Sequence, residues 1–261
     1  MRLRQWNVPP QLVFAGVLVL VGITLWRSPL YGAQPAAAVP PPAVDAVAPA
    51  TAATPGGAAA AGAGAPGIAA ASETAVLAGG CFWGVQGVFE HVRGVRNVVA
   101  GYAGGERATA AYEIVSTGAT GHAESVKITF DPAQISFGRL LQIAFSVVFD
   151  PTQLDRQGPD EGTQYRSEIF YTNPDQKRIA AAYISQLDAA HVFARPIVTR
   201  LEPLQGFYAA ESYHQDYLVR HPNQPYIALY DMPKVQSLKR TFPALYNGDP
   251  VLARNDVTML R

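Results

Sequence analysis

Residues 79–84 read Gly79-Gly80-Cys81-Phe82-Trp83-Gly84, directly after the apolar run Thr74-Ala75-Val76-Leu77-Ala78. The run reads as a short strand, the two glycines as a tight turn, and Cys81 as the opening of a helix to about His91. At a helix start, unpaired N–H groups and the macrodipole favour a thiolate. Cys81 is the only cysteine in 261 residues. It cannot close an intramolecular disulfide or build a multi-cysteine zinc site. A lone cysteine is more commonly a small buried apolar residue. Here the glycine turn and the helix start argue for a reactive sulfur. Phe82 and Trp83 give it an apolar wall, which suits a substrate with a small apolar group near its reacting centre. The oxidised sulfur must then be reduced from outside the chain.

Outward from this turn, the residues alternate between strand and helix patterns. Residues 95–102 are β-rich, and residues 122–130 alternate, with Val126, Ile128 and Phe130 on one face. Residues 109–116 read as a short helix. Residues 136–149 have helical spacing at Leu140, Leu141, Ala144, Phe145 and Val148, with Ser136 as N-cap. A Pro/Gly-rich loop spans 150–163, and 165–171 is a strand. Pro174 sits at the first position of a helix reaching about Ala190. A strand at 197–201, a helix at 209–219 and an irregular tail after His221 complete the reading. Mixed strands and helices without a strict βαβ rhythm predict an α+β fold: a mixed sheet with helices, the reactive cysteine following the first core strand.

Upstream, the composition changes. Arg2 and Arg4 precede the uncharged residues 5–26, and Arg27 closes them, with Trp6 and Trp26 near the two ends. An uncharged stretch of about 20 residues can span a bilayer, and its positive flank favours export of the downstream chain. Residues 1–32 therefore read as a signal-anchor, facing the domain to the periplasm or exported side. The alternative is a cleaved signal peptide and a secreted or periplasmic domain. Residues 33–71 hold 19 Ala, 7 Pro and 5 Gly, with Asp45 the single charge. Such a segment lacks the side chains to offset its ordering entropy, so 33–72 reads as a linker and 73–261 as the folded domain. Lys+Arg and Asp+Glu both number 20, and removing Arg2, Arg4, Arg27 and Asp45 leaves the domain slightly acidic. Nucleic-acid binding, which needs a basic field, is excluded.

Two further stretches carry chemistry. His122-Ala123-Glu124 opens like a zinc-deaminase signature but lacks the C-x-x-C that site needs. It remains either a polar pair on a strand's outer face or a buried acid able to donate a proton. Gly158-Pro159-Asp160-Glu161-Gly162-Thr163-Gln164-Tyr165-Arg166-Ser167 is a turn entering a strand that supplies Asp160 and Tyr165; Tyr112 adds another phenol. Gly101-Tyr102-Ala103-Gly104-Gly105 has no following Gly-Lys-Ser/Thr, so it is no P-loop.

Gly80-Cys81-Phe82-Trp83-Gly84, Gly101-Tyr102-Ala103-Gly104-Gly105, Thr120-Gly121-His122-Ala123-Glu124 and Gln164-Tyr165-Arg166-Ser167 occur in the order found in peptide methionine sulfoxide reductase A. Ala210-Glu211-Ser212-Tyr213-His214-Gln215 resembles that family's C-terminal helix. The resemblance, over about residues 74–221, implies reduction of methionine-S-sulfoxide, peptide-bound or free, and a role in oxidative damage repair. It implies Cys81 as the nucleophile that becomes a sulfenic acid, and Glu124 as the acid that protonates the departing oxygen. It implies Tyr112 and Tyr165 as phenols that bind that oxygen, with Asp160 in support. Phe82 and Trp83 would cradle the S-methyl group, with Gly80 and His122 beside the substrate. No bound cofactor or metal is implied. The reductant would be an external thiol such as thioredoxin or glutaredoxin, and the partners oxidised proteins. Ser116 and Ile227 stand where relatives often have further cysteines, Gln86 replaces a frequent Glu, and Phe149 replaces a frequent His. Without a resolving cysteine, a second reading is a membrane-tethered redox sensor or binding module for oxidised methionine.

Overall fold

The computed structural model describes residues 39–45 and 71–254. Its strands and helices, in chain order, are β1 (Glu73–Gly79), α1 (Phe82–Glu90), β2 (Val95–Ala103), α2 (Tyr112–Val115), β3 (Ala123–Phe130), α3 (Phe137–Ile143) and β4 (Arg156–Gln157). There follow β5 (Asp160–Glu161), β6 (Ser167–Tyr171), α4 (Pro174–Ala189), β7 (Arg200–Pro203), β8 (Phe207–Ala209), α5 (Tyr217–Arg220) and α6 (Met232–Thr241). The fold is α+β, as the alternating patterns predict.

Six strands form one mixed sheet in the order β7-β6-β1-β3-β2-β8, antiparallel except for the parallel β6–β7 pair. The centre of β1 explains its central place. Ala75 and Leu77 face the main core, while Val76 and Ala78 face a smaller cluster with Ala103, Ala123 and Phe170. A strand apolar on both faces belongs inside a sheet. The main core packs α1, α3 and α4 against the sheet through Phe82, Val85, Phe89, Leu140, Leu141 and Tyr183, all at most 1% exposed.

Register sets the site. β1 pairs Ala78 with Ser125 and Gly79 with Ser167, while β2 pairs Tyr102 with Glu124. The end of β1, the start of β3 and the start of β6 thus lie side by side. Arg166 locks them together. Its Nε is 2.6 Å from Glu168 Oε2, and its other nitrogens donate to the carbonyls of Gly121, His122 and Thr163 at 2.8–3.1 Å.

Several local expectations change. Residues 209–219 do not form one helix. Their start belongs to β8, which pairs with the sheet edge at β2, then a single turn at Ser212–His214 leads to α5. Asp216 has φ 54°, a left-handed conformation that no continuous right-handed helix accepts. The tail after His221 is ordered: a wide turn at Ile227–Asp231 runs into α6. The 150–163 loop contains the β4–β5 hairpin, and the 197–201 strand is displaced to β7.

Part of the Ala/Pro/Gly-rich stretch is docked on the domain, contrary to a pure spacer. Val39 is 2% exposed. Prolines at 40–42 leave carbonyls without a local N–H partner, and side chains from α3 and α4 supply donors. Gln142 Nε2 donates to Val39 O, Tyr183 OH to Pro40 O and Gln186 Nε2 to Pro41 O, at 2.7–2.9 Å. Asp45 accepts from the Gly138 amide at 2.9 Å and from Ser136 Oγ, so it extends the Ser136 cap of α3. Residues 33–38 and 46–70 of the linker and the apolar residues 5–26 lie outside the described residues. Among the described residues, no helix is long and apolar enough to cross a membrane.

Asp45→Ala should therefore cost about 1 kcal/mol in denaturant unfolding of the full chain, the usual value of a helix cap. It should also speed hydrogen exchange at Gly138. Unchanged stability and exchange would mean that the docked segment contributes nothing.

Candidate active site

The turn after β1 places the thiol. Gly80 has φ +91°, open to glycine at little cost, and a Cβ there would lie 2.7 Å from Gln157 Cβ. Cys81 is the N-cap residue of α1, with no side-chain capping bond. It borders a pocket of about 200 Å³. Glu124 and Asp160 supply carboxyls to its lining, Tyr112, Tyr165 and Tyr226 supply phenols, and Phe82 and Trp83 supply rings.

Seven of the nine residues named from sequence meet here. The other two, Gly80 and His122, do not line the pocket. His122 is 1% exposed; Gly105 N–H donates to its Nδ1 at 3.2 Å, and Nε2 lies 2.9 Å from Glu106 O. It packs edge-on to Tyr102 and Tyr208. Its place is under the loop that precedes β3, while Gly80 shapes the turn.

Residues with no role read from sequence complete the wall. Tyr226 donates its phenol to Asp160 Oδ2. Trp83 Nε1 donates to His214 Nδ1 at 3.0 Å, and its ring stacks on Tyr217 at 4.0 Å and 14°. Glu211 accepts from Tyr102 OH at 2.9 Å and from the Tyr112 amide at 3.0 Å, tying α2 to β2. These partners come from residues 211–226. The Ala210–Gln215 motif pointed to this stretch without assigning roles.

Electrostatics give the two central groups their protonation states. Glu124 is 2% exposed and accepts the Phe82 amide at 2.9 Å. Burial pushes its pKa up to about 8; the Phe82 N–H opposes this, and the nearby Asp160 and Asp231 add to it. At neutral pH Glu124 is a neutral acid with a proton to give.

Cys81 differs from the sequence expectation of a thiolate. Burial, then the carboxyls of Asp231 and Glu124, raise its thiol well above the ordinary value, and the Trp83 amide lowers it less. A helix N-terminus contributes about 0.3–1 kcal/mol, up to ~2 when partly buried. Burial can shift a group by about 3–5 pKa units, at about 1.4 kcal/mol each. Burial wins, and the resting group is a thiol. Burial also raises the phenols of Tyr112 and Tyr165, so both remain O–H donors.

An acid held in reserve, a sulfur at a helix start and phenols facing one pocket are the parts of an oxygen-transfer site. The family model for peptide methionine sulfoxide reductase matches residues 73–245. The chain belongs to the peptide methionine sulfoxide reductase family.

A curated peptide methionine sulfoxide reductase of this family, MsrA 2 of Mesorhizobium japonicum, is 60% identical over 181 residues, covering 69% of this chain and 93% of the relative. MsrA of Thermus thermophilus is 47% identical over 173 residues, covering 66% and 97%. Among solved structures, methionine sulfoxide reductase A of Corynebacterium diphtheriae aligns with TM-score 0.51 and 36% identity, covering 59% of this chain and 76% of that one. Reduced Mxr1 of Saccharomyces cerevisiae aligns with TM-score 0.54 and 31% identity, covering 59% and 87%. The chain is accordingly a methionine sulfoxide reductase, an oxidoreductase of protein repair.

The Glu124 state is directly measurable. Carbon NMR of the labelled chain should show two buried glutamates still protonated at pH 7, Glu124 ionising near pH 8 and Glu90 near pH 9, and the one that ionises near pH 8 is the reporter. The resonance should be absent in Glu124→Gln. Ionisation with a midpoint below about pH 5, as for an ordinary glutamate, would contradict the reading.

Proposed function

We propose that Cys81 performs the reduction, with the pocket residues in separate roles. The sulfoxide enters with its methyl group against Phe82 and Trp83. The Trp83 ring is held by His214 and Tyr217, which supports its use as a fixed wall. The sulfoxide oxygen meets the Tyr112 and Tyr165 hydroxyls and the Glu124 carboxyl. A sulfoxide oxygen departs poorly until protonated, and Glu124 holds a proton at neutral pH. Asp160, fixed by Tyr226, supports the phenols.

Cys81 loses its proton and bonds to the substrate sulfur while the S–O bond breaks and the oxygen, protonated by Glu124 and by the thiol's proton, leaves as water; water then adds to the Cys81 sulfur, which breaks the new S–S bond, frees methionine and returns a proton to Glu124. In sum, thiol plus sulfoxide gives sulfenic acid plus thioether: Cys81 gains one oxygen and the methionine sulfur is reduced by two electrons. The observation that carries this reading is the buried Glu124 acid beside the Cys81 thiol in one pocket.

Regeneration falls to an external dithiol of the thioredoxin or glutaredoxin class. Cys81 has no second cysteine in the chain, and Ile227, where relatives often have one, is fully buried. We further assign the domain to the exported side, tethered through residues 5–26, on the basis of the positive flank and the apolar run. The intact acid and phenols favour turnover over a single-event sensor.

The full chain, given a methionine-S-sulfoxide peptide with thioredoxin, its reductase and NADPH, should turn over many times. Cys81→Ser should be inactive. Glu124→Gln should lose roughly 10²-fold or more in rate, the usual size of general-acid help, while Cys81 still alkylates. A single equivalent of product with every dithiol would favour the sensor. An unchanged rate in Glu124→Gln would refute the acid role.

A further inference from the structure

The last glycine of the opening motif has no part in the turn or the pocket. Gly84 lies inside α1, where glycine is destabilising relative to alanine. A Cβ there would stand 2.1 Å from Asp231 Oδ1 and 3.0 Å from Lys234 Nζ. The space beside the helix is taken by an ion pair. Lys234 Nζ is 3.0 Å from Asp231 Oδ1; the Asp231 side chain is 0% and the Lys234 side chain 19% exposed. Asp231 Oδ2 is buried with no hydrogen-bond partner among the described residues. The pair comes from the wide turn Ile227–Asp231 and the first turn of α6, which pack on α1.

Cys81 and Gly84 are three residues apart and share one face of the helix start. The pair therefore lies beside the end of the helix that carries the thiol. Glu124 of β3, Asp160 of β5 and the phenols of Tyr112, Tyr165 and Tyr226 line the pocket with Cys81, while Asp231 and Lys234 lie behind it, beside Gly84, and act on the thiol through their charges. Three carboxyls beside a sulfur oppose its ionisation. A cation placed among them reverses part of that effect, and Asp231 keeps the cation charged in a buried place.

We infer that Lys234, held by Asp231 in the space left by Gly84, is a positioning residue that acts through Cys81 and eases ionisation of the buried thiol. The effect is mutual. A thiolate that holds a proton on Lys234 is itself held ionised by Lys234. The inference rests on Cys81 as the reactive thiol but not on the identity of its substrate, so its test is independent of sulfoxide reduction.

The test is the pH dependence of Cys81 alkylation by iodoacetamide in the full chain, because only the thiolate reacts. Asp231→Asn removes a repelling carboxylate and should lower the midpoint. Adding Lys234→Met to it should raise the midpoint again by about one unit or more, a tenfold lower rate at a fixed pH below it. Adding Lys234→Arg instead should leave it low, because arginine keeps its charge. General damage to packing would move the Met and Arg double variants together. As single variants, Lys234→Arg should stay nearer wild type than Lys234→Met, which covers the case where Asp231→Asn does not fold. Equal effects of Lys234→Met and Lys234→Arg, both as single variants and on Asp231→Asn, would overturn the inference.

Discussion

The hydrogen bond from the Phe82 amide to Glu124 Oε2, 2.9 Å long, joins the two halves of the chemistry. Its donor is the first residue of α1, so its position is fixed by the glycine turn that also places Cys81. Its acceptor is on β3, whose register against β1 is set by buried pairs such as Leu77 with Val126. A slip of one residue in that pairing would turn Glu124 to the other face of the sheet and leave the amide unpaired. The pocket thus depends on a strand register and a helix start meeting at one bond.

That bond also limits how far Glu124 can shift. A carboxyl with no donor would be neutral over a wider range, while one with several would be ionised at neutral pH. One amide, set against burial and two neighbouring carboxyls, leaves Glu124 close to the working range of a cell. Cys81 is treated in the same way. Its amide is outweighed, so the sulfur waits as a thiol. A buried, unionised sulfur in a narrow pocket is less open to stray oxidants than an exposed thiolate. The groups that surround an incoming sulfoxide are those that govern the thiol.

Much of the site was legible because it is local. Cys81, Phe82 and Trp83 are contiguous, and Glu124 heads a strand whose alternation is plain. The hidden part returns from far along the chain. Tyr226, Asp231 and Lys234 reach a helix about 145 residues earlier, and no period or spacing announces such a contact. Residues 209–219 look helical by composition. Pairing of β8 with the edge of β2 and the left-handed Asp216 override that local preference. The thiol state was misjudged for a related reason: the helix start is visible in sequence, and the depth of burial is not. Gln86 shows the same limit. Its amide donates to Val98 O and Gln215 Oε1 and accepts from the Asp216 amide, a set that an ionised glutamate could not make. Residues 39–45, polar only at Asp45, dock because α3 and α4 offer donors to proline carbonyls.

The central claim is that Cys81 gains one oxygen for each oxygen the substrate sulfur loses. Mass spectrometry after a single turnover without reductant tests it most directly. The account predicts one methionine released per chain and one oxygen gained, located on Cys81 and removed by dithiol. Methionine released while Cys81 stays unmodified, or equal release from Cys81→Ser, would contradict it.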